Sequence, residues 1–354
     1  MSDANTNTGE AFVAYLREKL PLIERACTRR RRAMAEVDAP ARDLDRYLYE
    51  PLAHFTAGGG KRVRPVLALL GAEAMGGCTE QALSSGVAIE LFQSAALIHD
   101  DIADASELRR GEPCLYRTHG EGLAINAGDL ALTRVFEVVL NDASLPGDRR
   151  LRVLDELVRM ERHTLEGQAL DLGWARDGRW DVTSSDYLYM IEGKTAWYTV
   201  ASPLRIGALA AGAADEAARE LVELGRPAGL AFQLQDDLLN LVGDASAQGK
   251  DFRSDITEGK RTLAVVWALE HLDDEPHREL VDLLESKTTN PDELARAVEL
   301  IEQGGGIEAC RDLALKLTRD AQGKARALAT SGTITPESAE LLCSMADFFI
   351  NRRA

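Results

Sequence analysis

The chain has 354 residues, of which 45% are hydrophobic, 28% charged and only 5% aromatic, enough for one large core or two modest ones and unlike a disordered or fibrous chain. With 58 acidic against 41 basic side chains, the formal net charge of -17 argues against nucleic acid or an anionic membrane as a partner. A polyanionic ligand would need cations in between.

The opening MSDANTNTGE is polar and acidic and lacks the order of a signal peptide; residues 1–9 are expected to be a mobile tail. Spaced apolar positions (Phe12, Leu16, Leu20, Ile23) predict a helix over 10–35, ending in the basic run Arg29 to Arg32. A short segment over 43–56 precedes the cluster Gly58, Gly59 and Gly60. Val63 to Ala74 is apolar, Gly76 and Gly77 break it, and Thr79 to Asp104 is too apolar for a surface helix. Further helical periods cover 121–141, 148–173, 186–211 and 216–242, with shorter ones from 261 onward. Runs alternating with period two are missing, so strands have little claim. No stretch is read as spanning a bilayer. Cys27, Cys78, Cys114, Cys310 and Cys343 are odd in number, widely spaced and form no CxxC pair, which argues against a disulfide scaffold and a structural zinc site. The expectation is an all-α, cytoplasmic protein with residues 1–354 forming a single domain.

Two groups of carboxylates stand out because they lie on helices that should be central. In LIHDDIADASELRRG, the i, i+4 spacing sets Asp100 and Asp104 on one helical face, about 6 Å apart along the axis, with Asp101 beside them. Carboxylates so close repel unless a hard cation neutralises them. In FQLQDDLLNLVGD, Asp236, Asn240 and Asp244 repeat the stripe, with Asp237 alongside. Facing each other across a cavity, the two groups would clamp Mg ions on a phosphate. Lys61, Arg64, Arg109, Arg110, Lys194, Lys250 and Lys260, with the Thr195 hydroxyl, bracket the acidic groups and can bind phosphate directly. Cys114, His119 and His99 read as packing, loop and hydrogen-bonding residues.

The ordered set GGGKRVRP, LIHDDIADASELRRG, AINAGD, EGKTA, FQLQDDLLN and GKDFRSDITEGKRT resembles the trans-isoprenyl diphosphate synthases of the polyprenyl synthetase family, most of all geranylgeranyl diphosphate synthase, over nearly the whole chain. The resemblance implies the isoprenoid synthase fold, a helical bundle around a deep apolar cavity, usually in a homodimer. It implies condensation of isopentenyl diphosphate with an allylic diphosphate (dimethylallyl, geranyl or farnesyl), using three Mg ions or Mn in their place. Asp100 and Asp104 resemble the ligands of two of these ions and Asp236 that of the third, with Asp101 and Asp237 as neighbours. Arg109, Lys194 and Lys250 resemble contacts to the allylic diphosphate, and Lys61, Arg64, Gln93 and Arg110 the isopentenyl diphosphate site. Thr195 and Gln233 match residues lining the carbocation region, Lys260 the mouth of the site, and Arg352 and Arg353 a closing basic tail.

Asn240 departs from the third aspartate of a DDxxD motif. It leaves two alternatives, a terpene cyclase-like enzyme and a non-catalytic prenyl diphosphate-binding subunit; the full set of basic motifs favours chain elongation. In family terms, the small Ala95 and Ala96 one turn before Asp100 resemble a site for a product of twenty carbons or more, and Phe92 a further turn back makes geranylgeranyl diphosphate the expected product, with farnesyl or a longer polyprenyl diphosphate as alternatives.

Overall fold

A computed structural model describes residues 9–29, 40–243 and 252–352. Most of the N-terminal tail, Arg30 to Arg32, Asp244, Lys250 and Arg353 lie outside the described residues. Within them the chain is helical nearly throughout, and the predicted periodic segments are helical where they are described. Its contacts divide it into two units, one of Ala14–Glu161 with Ser202–Leu221, the other of Met1–Val13, Arg162–Ala201 and Val222–Ala354. We call them the DDIAD unit and the DDLLN unit after the aspartate motif in each.

The DDIAD unit is built from most of α1 (Glu10–Arg29), a short α2 (Ala41–Leu44) running through a π turn (Asp45–Tyr49) into α3 (Glu50–Ala57), then α4 (Val63–Ala74) and α5 (Thr79–Ala103). A two-stranded ribbon, β1 (Leu108–Arg109) with β2 (Glu112–Pro113), α6 (Leu115–His119), α7 (Glu121–Leu140) and the first half of α8 (Gly147–Arg176) follow. The later α10 (Ser202–Ala211) returns to this unit. Small residues let its helices approach closely. A methyl on Gly207 would stand 1.8 Å from the Ala68 carbonyl oxygen, so α10 and α4 cross backbone to backbone. Ala95, Ile98, Ala124, Ala127 and Ala131 form one buried cluster with Leu52 and Leu115.

The DDLLN unit holds the rest of α8, α9 (Ser184–Ile191), a π-helical stretch (Glu192–Ala201) and most of α11 (Asp215–Val242). After these come α12 (Ser254–Glu258), α13 (Leu263–His271), α14 (Asp274–Glu285), α15 (Pro291–Gln303), α16 (Gly306–Thr330) and α17 (Pro336–Asn351). Side chains cap several starts. The Thr183 hydroxyl accepts the Asp186 N–H while Asp186 accepts the Thr183 N–H. Asn290 and Thr335 cap α15 and α17, each followed by a proline at the first helical position. The core gathers Tyr187, Leu234, Leu263, Leu280, Leu300 and Cys310.

Three features differ from the sequence reading. The 186–211 segment is two α-helices joined by ten π-helical residues, because apolar spacing cannot show one added residue per turn. A β-ribbon follows the first motif, its two-residue Arg110–Gly111 turn having φ of 55° and 83°, as hairpin twist requires. And α5 is long and apolar enough to cross a bilayer by length and composition, although 72% of its most apolar window is buried inside the protein. All five cysteines are free thiols.

Candidate active site

In the DDIAD unit, α5 presents Asp100 and, just past its end, Asp104, whose N–H donates to the Asp100 carbonyl at 2.9 Å and continues the helical turn. The side chain of Asp100 is 29% exposed and Asp104 is exposed, so both can reach a cation, whereas Asp101 is 1% exposed. Asp101 accepts the Arg109 Nε–H at 2.8 Å, and Arg109 Nη2 lies 3.8 Å from Asp100. Arg109 thus acts on both aspartates, and the β-ribbon that carries it is tied to the end of α5. Burial, with Asp101 beside it, pushes the Cys114 thiol up to about 11, which makes it a packing residue. His99 turns away from Asp100, 3.4 Å from the Ile125 carbonyl oxygen, and His119 contacts the Thr118 hydroxyl at 2.8 Å.

Arg62 and Arg64 of GGGKRVRP and Arg110 of ELRRG act on Glu90, a carboxylate 2% exposed on α5 that sequence reading missed. Arg62, also missed, is buried; it pairs with Glu90, with Glu24 at 2.8 Å, and donates to the Thr56 carbonyl at 2.6 Å. Burial pushes the Glu90 carboxyl upward, and the charges of Arg62, Arg64 and Arg110 pull it back. A buried anion therefore gathers three arginines that would otherwise repel. Gln93 lies one turn further along α5, half-buried, and Lys61 is exposed. The signal was present in the sequence as a lone glutamate in the apolar run SSGVAIELF. A cavity of about 560 Å³ in this unit is lined by Arg46, His54, Phe55, Arg109, Arg110 and His119, among others. Ala96 stands on the same face of α5 as Asp100, with buried Phe92 one turn below it, while Ala95 belongs to the core cluster with α7.

In the DDLLN unit the π-helical stretch brings Lys194 and Thr195 into place. A methyl on Gly167 would meet the Lys194 nitrogen at 2.2 Å, so α8 and the π stretch touch there. One turn on from Gly167, Asp171 pairs with Lys194 at 2.5 Å. Asp171 was also missed; its signal is a carboxylate flanked by Leu170 and Leu172. A hydrogen-bonded chain runs from the Thr195 hydroxyl to Gln233 at 2.9 Å, from the Gln233 amide to Asp237 at 2.8 Å, and from Asp237 to the buried Tyr187 hydroxyl, which donates to it. Burial, then the charge of Asp255, lifts the Asp237 carboxyl to about 8, with Tyr187 and Gln233 working against them. The side chain of Asp236 is 54% exposed and pairs with Arg352 at 3.0 Å; that guanidinium also lies over the Phe232 ring at 4.0 Å. Lys260 is held by Asp255 at 3.3 Å and Glu258 at 2.7 Å.

Among the described residues, no three His, Cys, Asp or Glu side chains form a preassembled cation cage. Half-buried Asp100 and exposed Asp104 and Asp236 nevertheless suit Mg, which is usually held by one or two carboxylates together with substrate phosphate and water.

The sequence model of the polyprenyl synthetase family matches residues 45–301. The short chain isoprenyl diphosphate synthase of Methanothermobacter thermautotrophicus is 39% identical over 301 residues, covering 84% of this chain and 88% of that protein. The solved geranylgeranyl pyrophosphate synthetase of Pyrococcus horikoshii is similar over 97% of this chain and 99% of its own, at a TM-score of 0.85 and 32% identity. A geranylgeranyl pyrophosphate synthase of Corynebacterium glutamicum, solved with isoprenyl diphosphate and magnesium, is similar over 99% of this chain and 100% of its own, at a TM-score of 0.79 and 29% identity. With its all-helical isoprenoid synthase fold and paired aspartate motifs, the chain belongs to the polyprenyl synthetase family and is a prenyltransferase that makes prenyl diphosphates.

Proposed function

We propose that the protein condenses isopentenyl diphosphate with dimethylallyl, geranyl and farnesyl diphosphates to linear trans-geranylgeranyl diphosphate, with three Mg ions. The observation that carries this reading is the arginine cluster around Glu90, since chain elongation needs a second diphosphate site besides the aspartates. Asp100 and Asp104 would hold two of the ions on the allylic diphosphate and Asp236 the third, with Mn able to substitute. Mg held by these carboxylates would supply positive charge against the charge that develops on the leaving diphosphate. Arg109, Lys194 and Lys250 contact the same diphosphate and stabilise it further, while Lys61, Arg64, Gln93 and Arg110 orient isopentenyl diphosphate. The allylic C1–O bond breaks with its electron pair leaving on diphosphate. The double bond of isopentenyl diphosphate then supplies the pair for the new C–C bond, and a proton passes from the condensed cation to the released diphosphate. Thr195 and Gln233 present polar oxygens to the cation region, and Lys260 guards its mouth.

Ala96 leaves room below Asp100 for a growing chain, and Phe92 is the floor expected to stop it. The whole chain acts as one synthase domain in the cytoplasm, as a homodimer. Support for the dimer comes from Leu151, Val158, Leu165 and Leu172, exposed at seven-residue spacing along α8.

The test is a Mg-dependent assay with isopentenyl diphosphate and each primer, resolving products by chain length. A twenty-carbon linear diphosphate is expected, and Phe92→Ala should lengthen it. A fifteen-carbon or much longer product from the wild type would reject the Phe92 reading, and no elongation with any primer would reject the synthase.

A further inference from the structure

Among the described residues, Asn240, the departure from the aspartate pattern, is hydrogen-bonded to three successive residues. Its side-chain Nδ2–H donates to the Ser254 hydroxyl at 3.0 Å, its Oδ1 accepts the Asp255 N–H at 3.2 Å, and its carbonyl accepts the Arg253 N–H at 2.9 Å. Those residues begin α12, whose N-cap, Arg253, has a left-handed φ of 62° and makes no side-chain cap hydrogen bond. The second N–H of that helix is thus capped from another helix by an amide oxygen, in the role an N-cap asparagine normally plays for its own helix.

What α12 carries explains why the cap matters. The Asp255 carboxylate and the Lys260 ammonium are 3.3 Å apart, and the Lys260 N–H donates to the Asp255 carbonyl at 2.8 Å across the left-handed Gly259, whose φ is 65°. Asp255 lies close enough to Asp236 and Asp237 for the charges to repel. An aspartate at 240 could still accept the Asp255 N–H, but it would add a fourth carboxylate to this group. The amide caps without that charge.

We infer that Asn240 is a positioning residue: it does not ligate the cation but fixes α12, and through it Asp255 and Lys260, beside Asp236. This rests on the assignment of Asp236 to the cation, although the cap itself does not. The experiment uses the full chain with Mn alone as the probe, read by electron paramagnetic resonance, together with hydrogen exchange at the Asp255 amide. Asn240→Ala should speed that exchange by at least tenfold and weaken Mn binding severalfold. Asn240→Asp, which keeps the acceptor, should restore the slow exchange without binding Mn more tightly than the wild type. Ser254→Ala in the Asn240→Ala background should add nothing to the change in Mn affinity, because both remove the same contact. Unchanged exchange in Asn240→Ala would overturn the cap, and tenfold tighter Mn binding by Asn240→Asp would show a direct ligand instead. Wild type that binds Mn with no dependence on Asp236 would overturn the Asp236 assignment while leaving the exchange result to judge the cap.

Discussion

The second aspartate of each motif is buried and the first at least partly exposed, yet the two buried ones are anchored by opposite means. Asp101 is held by a charge, the Arg109 guanidinium, whereas Asp237 is held by neutral donors, the Tyr187 hydroxyl and the Gln233 amide. A charged anchor fixes position strongly and leaves a stranded ion if one partner is lost. A neutral anchor tolerates a change in the aspartate's charge, which suits a site where Asp255 already crowds Asp237. The buried aspartate of the DDIAD motif is therefore anchored through ion pairing, and that of the DDLLN motif through a relay of hydroxyl and amide groups.

The exposed aspartates should be the most sensitive to loss of function. Asp100→Ala and Asp236→Ala are expected to cut turnover by about 10² to 10³ with little change in melting temperature, since neither side chain is buried. Near-normal rates in either variant would undo its role in cation binding. The buried pair should separate in stability instead. Asp101→Asn, by weakening the hold on Arg109, is expected to lose about 2 kcal/mol in denaturant unfolding, against less than about 1 kcal/mol for Asp237→Asn. Equal losses would erase the distinction between charged and neutral anchoring.

A smaller effect is expected from Arg352→Ala. Freed of an ion pair worth about 1 kcal/mol, Asp236 should bind Mn about fivefold more tightly. Calorimetric titration checks this, and weaker binding would mean that Arg352 assists the cation instead of competing with it. The smallest concerns Glu161 at the end of the DDIAD unit. Its Oε1 is buried without a hydrogen-bond partner, and burial alone pushes its carboxyl up to about 7. The folded chain then favours the protonated form, so the penalty grows as pH rises from the ordinary carboxyl range and levels off above about 7. Glu161→Gln should raise the melting temperature more at pH 8 than at pH 5; an equal gain at both would assign it to packing.

Helix positions and the exposed aspartates were legible in the sequence because they depend on local spacing: α4 spans Val63–Ala74, as its apolar run requires. The partners were not, because they come from distant segments. Asp171 meets Lys194 across 23 positions, and Arg352 meets Asp236 from the far end of the chain. Glu90 and Asp171 were visible as carboxylates in apolar surroundings, but nothing local tells which cation each will find. The left-handed Arg62, Arg110 and Arg253 were equally hidden, since composition favours glycine or asparagine in that conformation. All three lie at turns beside the motif residues, where the surrounding contacts hold them.

The π-helical stretch at Glu192–Ala201 also bears on insertions and deletions. Removing one residue there would let the backbone relax toward ordinary α-helical bonding, a local gain in regularity. It would also rotate everything on one side of the cut by about 100° relative to the other. Within the DDLLN unit, Lys194 and Thr195 would turn away from Asp171 and Gln233. A shortened chain should therefore be more regular at this point and less able to turn over, so its length through EGKTAWYTVA is a requirement of function that no single side chain records.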